Sequence, residues 1–150
     1  MTDKTWNIYL SGEIHSDWRE RIVEGAKTAT LAVTFSAPVT DHEASDMCGV
    51  RILGDEPDAF WRDRKGANIN AIRTSSLIGR ADAVIVRFGP KYKQWNAAFD
   101  AGYAAALNKP LIILHDGDHD HALKEVDAAA NATARSPEQV VEILRYVMGA

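Results

Sequence analysis

Four short apolar runs recur along the chain with helix-patterned segments between them, and this alternation restricts the fold more than any other feature. The runs are Asn7 to Leu10 (NIYL), Leu31 to Phe35 (LAVTF), Asp82 to Phe88 (DAVIVRF) and Pro110 to Leu114 (PLIIL), each rich in β-branched or aromatic residues. Such alternation predicts βαβ units around a parallel sheet whose faces are covered by helices. A weaker fifth run lies at Asn131 to Ala134, just before Ser136-Pro137-Glu138-Gln139. There Ser is a good N-cap, Pro suits the first helical position and Gln139 takes the capping-box place. Further helices are expected over Trp18 to Ala29, from about Ala67 to Arg80, and over Asn96 to Leu107, whose small residues allow close packing on a sheet. The expected fold is α/β: a three-layer sandwich with a parallel sheet of four or five strands in the flavodoxin-like (Rossmann-like) order 2-1-3-4-5.

A chain of 150 residues suits one domain, 1-150, with one core. Between Ser36 and Trp61 the chain carries Pro38, Gly49, Gly54 and Pro57 among many acids with little periodicity. That segment reads as a long loop serving as a lid, a binding loop or an assembly arm. With 17 Lys and Arg against 21 Asp and Glu, the net charge is −4. A nucleic acid polymer is therefore not an expected partner, because phosphate backbones are held by clustered cations. Cys48 has no second cysteine for an internal disulfide, and MTDKTWNIYLSG lacks the basic start and apolar run of a secretory signal. No stretch reaches the roughly 18 apolar residues of a membrane span. The expectation is a cytoplasmic protein with no membrane partner, no cofactor and no metal.

In open parallel sheets, ligands bind beyond the carboxyl ends of the strands, where the neighbours of the first strand diverge. Two segments fall there. Tyr9-Leu10-Ser11-Gly12-Glu13-Ile14-His15 runs from a strand into a glycine turn before a helix, which lets main-chain amides approach an anion. It is no G-x-G-x-x-G fingerprint, and Gly12 could serve the turn alone. The second segment, Gly89 to Tyr103, puts Asp100 in a small-residue helix on the side where the sheet opens, well placed to meet a sugar. The competing explanation for Asp100 is an acid favoured by the helix dipole. Trp95 offers an aromatic ring beside that helix. The run His115-Asp116-Gly117-Asp118-His119-Asp120-His121 has ligand-type residues but lacks a glutamate-terminated calcium loop and the HExxH and HxxEH arrangements, and reads as a solvated loop. Cys48 has no nearby His to make a thiol nucleophile.

Tyr9-Leu10-Ser11-Gly12 together with Asn96-Ala97-Ala98-Phe99-Asp100-Ala101-Gly102-Tyr103-Ala104 resembles the two signatures of the nucleoside 2-deoxyribosyltransferase superfamily, Y-L-A/S-G and G-T/S-A-x-E-x-G-Y-A. More narrowly, the runs YLSGEIHSDWRE, INAIRTSSLIGRADAVIVRFG and KYKQWNAAFDAGYAAALNKP are similar to the YtoQ family, a branch of that superfamily. This resemblance implies an enzyme that breaks an N-glycosidic bond between a deoxyribose and a base. A carboxylate attacks the anomeric carbon, and water or a second base resolves the glycosyl-enzyme. By position, Asp100 stands where the family has its nucleophilic Glu, and Tyr9 where a tyrosine hydroxyl orients that carboxylate. Gly12, His15, Arg19, Thr74, Trp95 and Asn96 are the implied substrate-binding residues. His15, Ser16 and Arg19 occupy the stretch used for a 5′-phosphate in branches acting on monophosphates, and Arg suits phosphate geometry. The implied partners are a small nucleoside or nucleotide and a second copy of the chain, in a homodimer or higher homo-oligomer.

Two departures from the family pattern fall on carboxylates. Asp100 is one methylene shorter than Glu, and a shift of about one ångström can cost about a hundredfold in rate. Thr74, preceded by Arg73, stands eight residues before Asp82, where active members carry an Asp. A hydroxyl can bond a sugar but cannot act as general acid near neutrality. These departures define the alternative, a catalytically silent nucleotide-binding module of the same fold.

Overall fold

The apolar runs become strands of one sheet, and the central ones, Ala83–Arg87 and Leu111–Leu114, are apolar on successive residues because both of their faces are buried. The computed structural model describes residues 4–150, so the first three residues of the stretch examined for a leader lie outside it. The strands are β1 (Trp6–Gly12), β2 (Val33–Ser36), β3 (Ala83–Arg87), β4 (Leu111–Leu114) and β5 (Ala132–Ala134). They form a five-stranded sheet in the order β2-β1-β3-β4-β5. Every pairing is parallel, with Tyr9 beside Ser36 on one side and beside Val84 on the other. The weak fifth run is a true strand, paired through Thr133 to Ile113.

The chain divides into two compact units, one made of residues up to Ser36 together with Ala81–Ala150, the other of Ala37–Arg80. In the first unit, side chains alternate across the sheet. Ile8, Leu10, Ala83, Ile85, Ile112 and Leu114 face a core completed by Trp18 and Ile22 of α1 (Trp18–Thr28) and by Val140, Val141 and Leu144 of α6 (Pro137–Met148). Full burial of each large aliphatic side chain contributes about 1.5–3 kcal/mol. Tyr9, Ser11, Val84 and Val86 alternate with these residues and face the opposite side. There α4 (Trp95–Ala106) buries Ala97, Ala101 and Ala104, small residues that let the helix approach closely. A short helix, α5 (Lys124–Ala129), precedes β5. The start of α6 is as expected: Ser136 Oγ accepts from the Gln139 N–H at 3.2 Å, with Pro137 in the first turn.

The second unit corrects the expected loop between Ser36 and Trp61. It is a helical hairpin of α2 (His42–Leu53) and α3 (Ala59–Arg80). Asp41 caps α2 by accepting from the Ala44 N–H at 2.9 Å, and Gly54 ends it at φ 94°. Gly49, which suggested a loop, and Gly66 are contact points between the two helices. A Cβ on Gly49 would lie 2.5 Å from Lys65 Cβ, and one on Gly66 would lie 2.9 Å from the Asp46 carbonyl oxygen. Close helix approach therefore outweighs the roughly 1 kcal/mol that glycine costs in a helix. For the same reason α3 begins at Ala59, eight residues before the expected Ala67.

Candidate functional site

β1 and β3 are central neighbours in the sheet, and the candidate residues gather at their carboxyl ends. Gly12 closes β1 at φ 113° beside Arg87, and a Cβ there would stand 2.1 Å from the Arg87 carbonyl oxygen. Only glycine tolerates both the conformation and the contact. One residue on, the Glu13 N–H donates to that same carbonyl at 3.0 Å. The strand ends are thus stitched together just before the chain turns into α1.

Asp100 sits on α4 in its second turn and reaches back to β1, where Ser11 Oγ donates to Asp100 Oδ2 at 2.6 Å. Burial pushes the Asp100 carboxyl above its ordinary range, and the Ser11 bond offsets only part of that. Tyr9, fully buried, lies two residues before Ser11 and so on the same sheet face. The Ser11 bond was not anticipated, although alternation along β1 places residue 11 on the face of residue 9. Asn96 lies one turn before Asp100, exposed at the head of α4. Trp95 and Phe99 follow the same spacing and are 75% and 74% exposed.

Glu13 is a functional candidate that sequence reasoning missed. It is only 4% exposed. Its Oε1 accepts from the His15 N–H, while Oε2 accepts from Ser16 Oγ at 2.6 Å and from Arg87 Nε at 3.1 Å. Burial alone would raise this carboxyl, but the bonds from Ser16, the His15 amide and Arg87 outweigh it and hold it below the usual range. Gly89 makes room for it, since a Cβ there would lie 2.5 Å from Glu13 Cγ. An acid next to a turn glycine has no sequence signal separating it from a solvated one.

Arg19 donates to main-chain carbonyls of the same turn, to Leu10 at 3.2 Å, Gly12 at 3.1 Å and Glu13 at 2.7 Å. Its guanidinium lies 4.5 Å from the Trp18 ring centroid, and the Trp18 indole N–H itself donates to the Glu13 carbonyl at 2.7 Å. His15 is exposed and its ring centroid stands 4.8 Å from that of Tyr92. Gln94 holds the turn before α4 by accepting from the Gly89 N–H at 3.1 Å. Thr74 stands half-buried on α3 of the second unit.

Other candidates lie elsewhere. Asp82 is at the amino end of β3, accepting from the Asn7 N–H at 2.8 Å and pairing with Lys4. His115 is fully buried, with Nε2 at 2.8 Å from Asp127 Oδ2 and Nδ1 donating to the Asp116 carbonyl at 2.7 Å. Among the described residues no group of three or more His, Cys, Asp or Glu is arranged to hold a metal ion, and no helix is long and apolar enough to cross a membrane. A cavity of about 260 Å³ lies at the amino end of β4, lined by Ala105, Asn108, Lys109, Pro110, Ala129 and Asn131, with no acid among them.

Comparison with known proteins places this arrangement. The family model described as "Nucleoside 2-deoxyribosyltransferase YtoQ" matches residues 9–148. "Uncharacterized protein YtoQ" of Bacillus subtilis (strain 168) is 46% identical over 140 residues, covering 93% of this chain and 95% of that one. In fold, the chain is similar to a conserved protein from Enterococcus faecalis V583, with a TM-score of 0.64 at 13% identity over 96% of this chain and 99% of that one. It is also similar to a 2-deoxyribosyltransferase from Bacillus psychrosaccharolyticus, with a TM-score of 0.52 at 15% identity over 90% of each. At such identities the two structures speak to the fold alone, and that fold is flavodoxin-like.

Proposed function

Since the chain belongs to the nucleoside 2-deoxyribosyltransferase YtoQ family, we propose that it breaks or transfers the N-glycosidic bond of a deoxynucleoside, with Asp100 as nucleophile. The observation that carries this is the carboxylate itself: half-buried at the open edge of the sheet and held through one oxygen by Ser11 at 2.6 Å. With Oδ2 held, Oδ1 is the oxygen that attacks C1′. A bond forms from Oδ1 to C1′ as the C1′–N bond breaks, its electron pair leaving with the base, which takes a proton from water. Water or a second base then attacks C1′ and frees the carboxylate. Burial, which the Ser11 bond offsets only in part, leaves the anion poorly solvated, raises its energy and favours attack. Ser11 is the positioning residue the geometry supports, and Tyr9, two residues back on the same strand face, is the one the family resemblance adds. Trp95 offers an exposed ring to a base, and Asn96 and His15 border the same edge.

The test is chromatography of a panel of nucleosides and their monophosphates after incubation, with and without an added acceptor base. Free base from the wild type, lost in Asp100→Asn, supports the proposal; release unaffected by Asp100→Asn overturns it. Release without an acceptor marks a hydrolase, and release only with one marks a transferase. One observation favours the second reading, a nucleotide-binding module without turnover: the acid is Asp, one methylene shorter than the family's Glu. On that reading the wild type binds but releases nothing, and Asp100→Glu restores weak cleavage. A homodimer or higher homo-oligomer belongs to the same proposal, and a monomer by light scattering at micromolar concentration would contradict it.

A further inference from the structure

The turn from the first strand of a parallel sheet into its helix is the usual place for a ligand's anionic group, because main-chain N–H groups converge there on the positive end of the helix. In this chain the turn already holds an anion. The Glu13 carboxylate takes the His15 N–H, the Ser16 hydroxyl at 2.6 Å and the Arg87 guanidinium at 3.1 Å. Its side chain is 3% exposed. The other cation of the turn, Arg19, is turned inward onto the carbonyls of Leu10, Gly12 and Glu13. Room for the carboxylate comes from Gly89, where any side chain would strike Glu13 Cγ. The acid therefore has a built socket.

Position along β1 says what the socket would otherwise receive. Ser11 marks the point where Asp100 is held, and Glu13 follows two residues on, just past the end of β1 at the same edge of the sheet. The one anionic group that a nucleotide with its C1′ at Asp100 could offer the socket is the phosphate on its 5′ carbon. We propose that Glu13 is a specificity-determining residue, a resident carboxylate that fills this cradle so that the site accepts the uncharged 5′-hydroxyl of a nucleoside and disfavours a 5′-phosphate. A phosphate arriving there meets donors already bonded and a fixed negative charge, an arrangement that selects by repulsion as well as by fit. The inference rests on the nucleoside reading above.

The experiment compares the four common deoxynucleosides with their 5′-monophosphates as kcat/KM for base release, in the wild type, Glu13→Gln and Glu13→Asp. The wild type is expected to favour the nucleosides by at least about tenfold, a ratio that Glu13→Gln narrows at least about threefold and Glu13→Asp largely keeps. A merely structural Glu13 would change stability and both rates together, leaving the ratio fixed, and that result overturns the inference. So does a wild type that takes the monophosphates equally well. If Glu13→Gln does not fold by circular dichroism, the wild-type ratio and Glu13→Asp decide. If the wild type releases no base, the nucleophile reading fails by itself. The same ratio is then taken from dissociation constants by calorimetry, and tighter binding of the monophosphates, equal binding of both forms, or binding of neither overturns the inference.

Discussion

Asp100 and Glu13 are two acids held at the same edge of the sheet and wired in opposite ways. Asp100 reaches β1 from α4 and accepts a side-chain bond from a neutral serine, Ser11. Glu13 accepts from a main-chain amide, a hydroxyl and a guanidinium. Burial dominates the first and lifts its carboxyl; bonding dominates the second and lowers it. A carboxylate kept short of donors retains electron density for a new bond, whereas one surrounded by donors is a fixed counterion. Two buried acids at one edge are thus told apart by what surrounds them.

The largest expected effect breaks the reactive half. Asp100→Asn keeps shape and removes the attacking anion, and base release should fall by more than about a thousandfold. Chromatographic assay of released base checks it.

Next comes the structural half. Glu13→Gln leaves Arg87 without its counter-charge in a buried setting and should cost about 2 kcal/mol at neutral pH. Because the folded carboxyl is held low, its stabilisation is present above the unfolded glutamate value, about 4.3, and is lost as pH falls through the folded value. Melting curves of wild type and variant should therefore differ at pH 7 and converge in strong acid. A gap that persists there would mean packing, not charge, holds the turn.

A smaller loss is expected for Ser11→Ala, which deletes one hydrogen bond to the carboxylate. Base release should drop about tenfold, matching roughly 1–1.5 kcal/mol. The acid limb of the rate profile should move to higher pH, since the bond that favours the anion is gone. An unchanged acid limb would detach Ser11 from Asp100.

The smallest effect has the opposite sign. Asp100 has a raised folded value, so its contribution to stability is full below the unfolded aspartate value, about 3.9, and is lost as pH rises through the folded value. Asp100→Asn should accordingly melt slightly above the wild type at pH 7 and show no advantage in strong acid. Thermal scans at both pH values read this out.

Much of this molecule is legible in local pattern. Runs such as Val84-Ile85-Val86 are apolar on successive residues because both faces of a central parallel strand are covered. Ser136 and Pro137 announce α6 because capping is satisfied within one turn. The placement of Asp100 beside β1 follows from strand order together with the small-residue face of α4. Illegible were α2 and the first turns of α3, where Gly49 and Gly66 serve contacts between helices rather than a loop.

The positions of strands and helices and the helix ends come from periodicity and capping, which act over about four residues and are written in the chain itself. The wiring of the two acids is not. Ser11 meets Asp100 across 89 positions and Glu13 meets Arg87 across 74. Such pairs exist only once β1 and β3 lie side by side and α4 folds back over them. Tertiary structure alone decided which acid is short of donors and which is saturated, because a carboxylate's solvation depends on groups that the chain brings together only by folding.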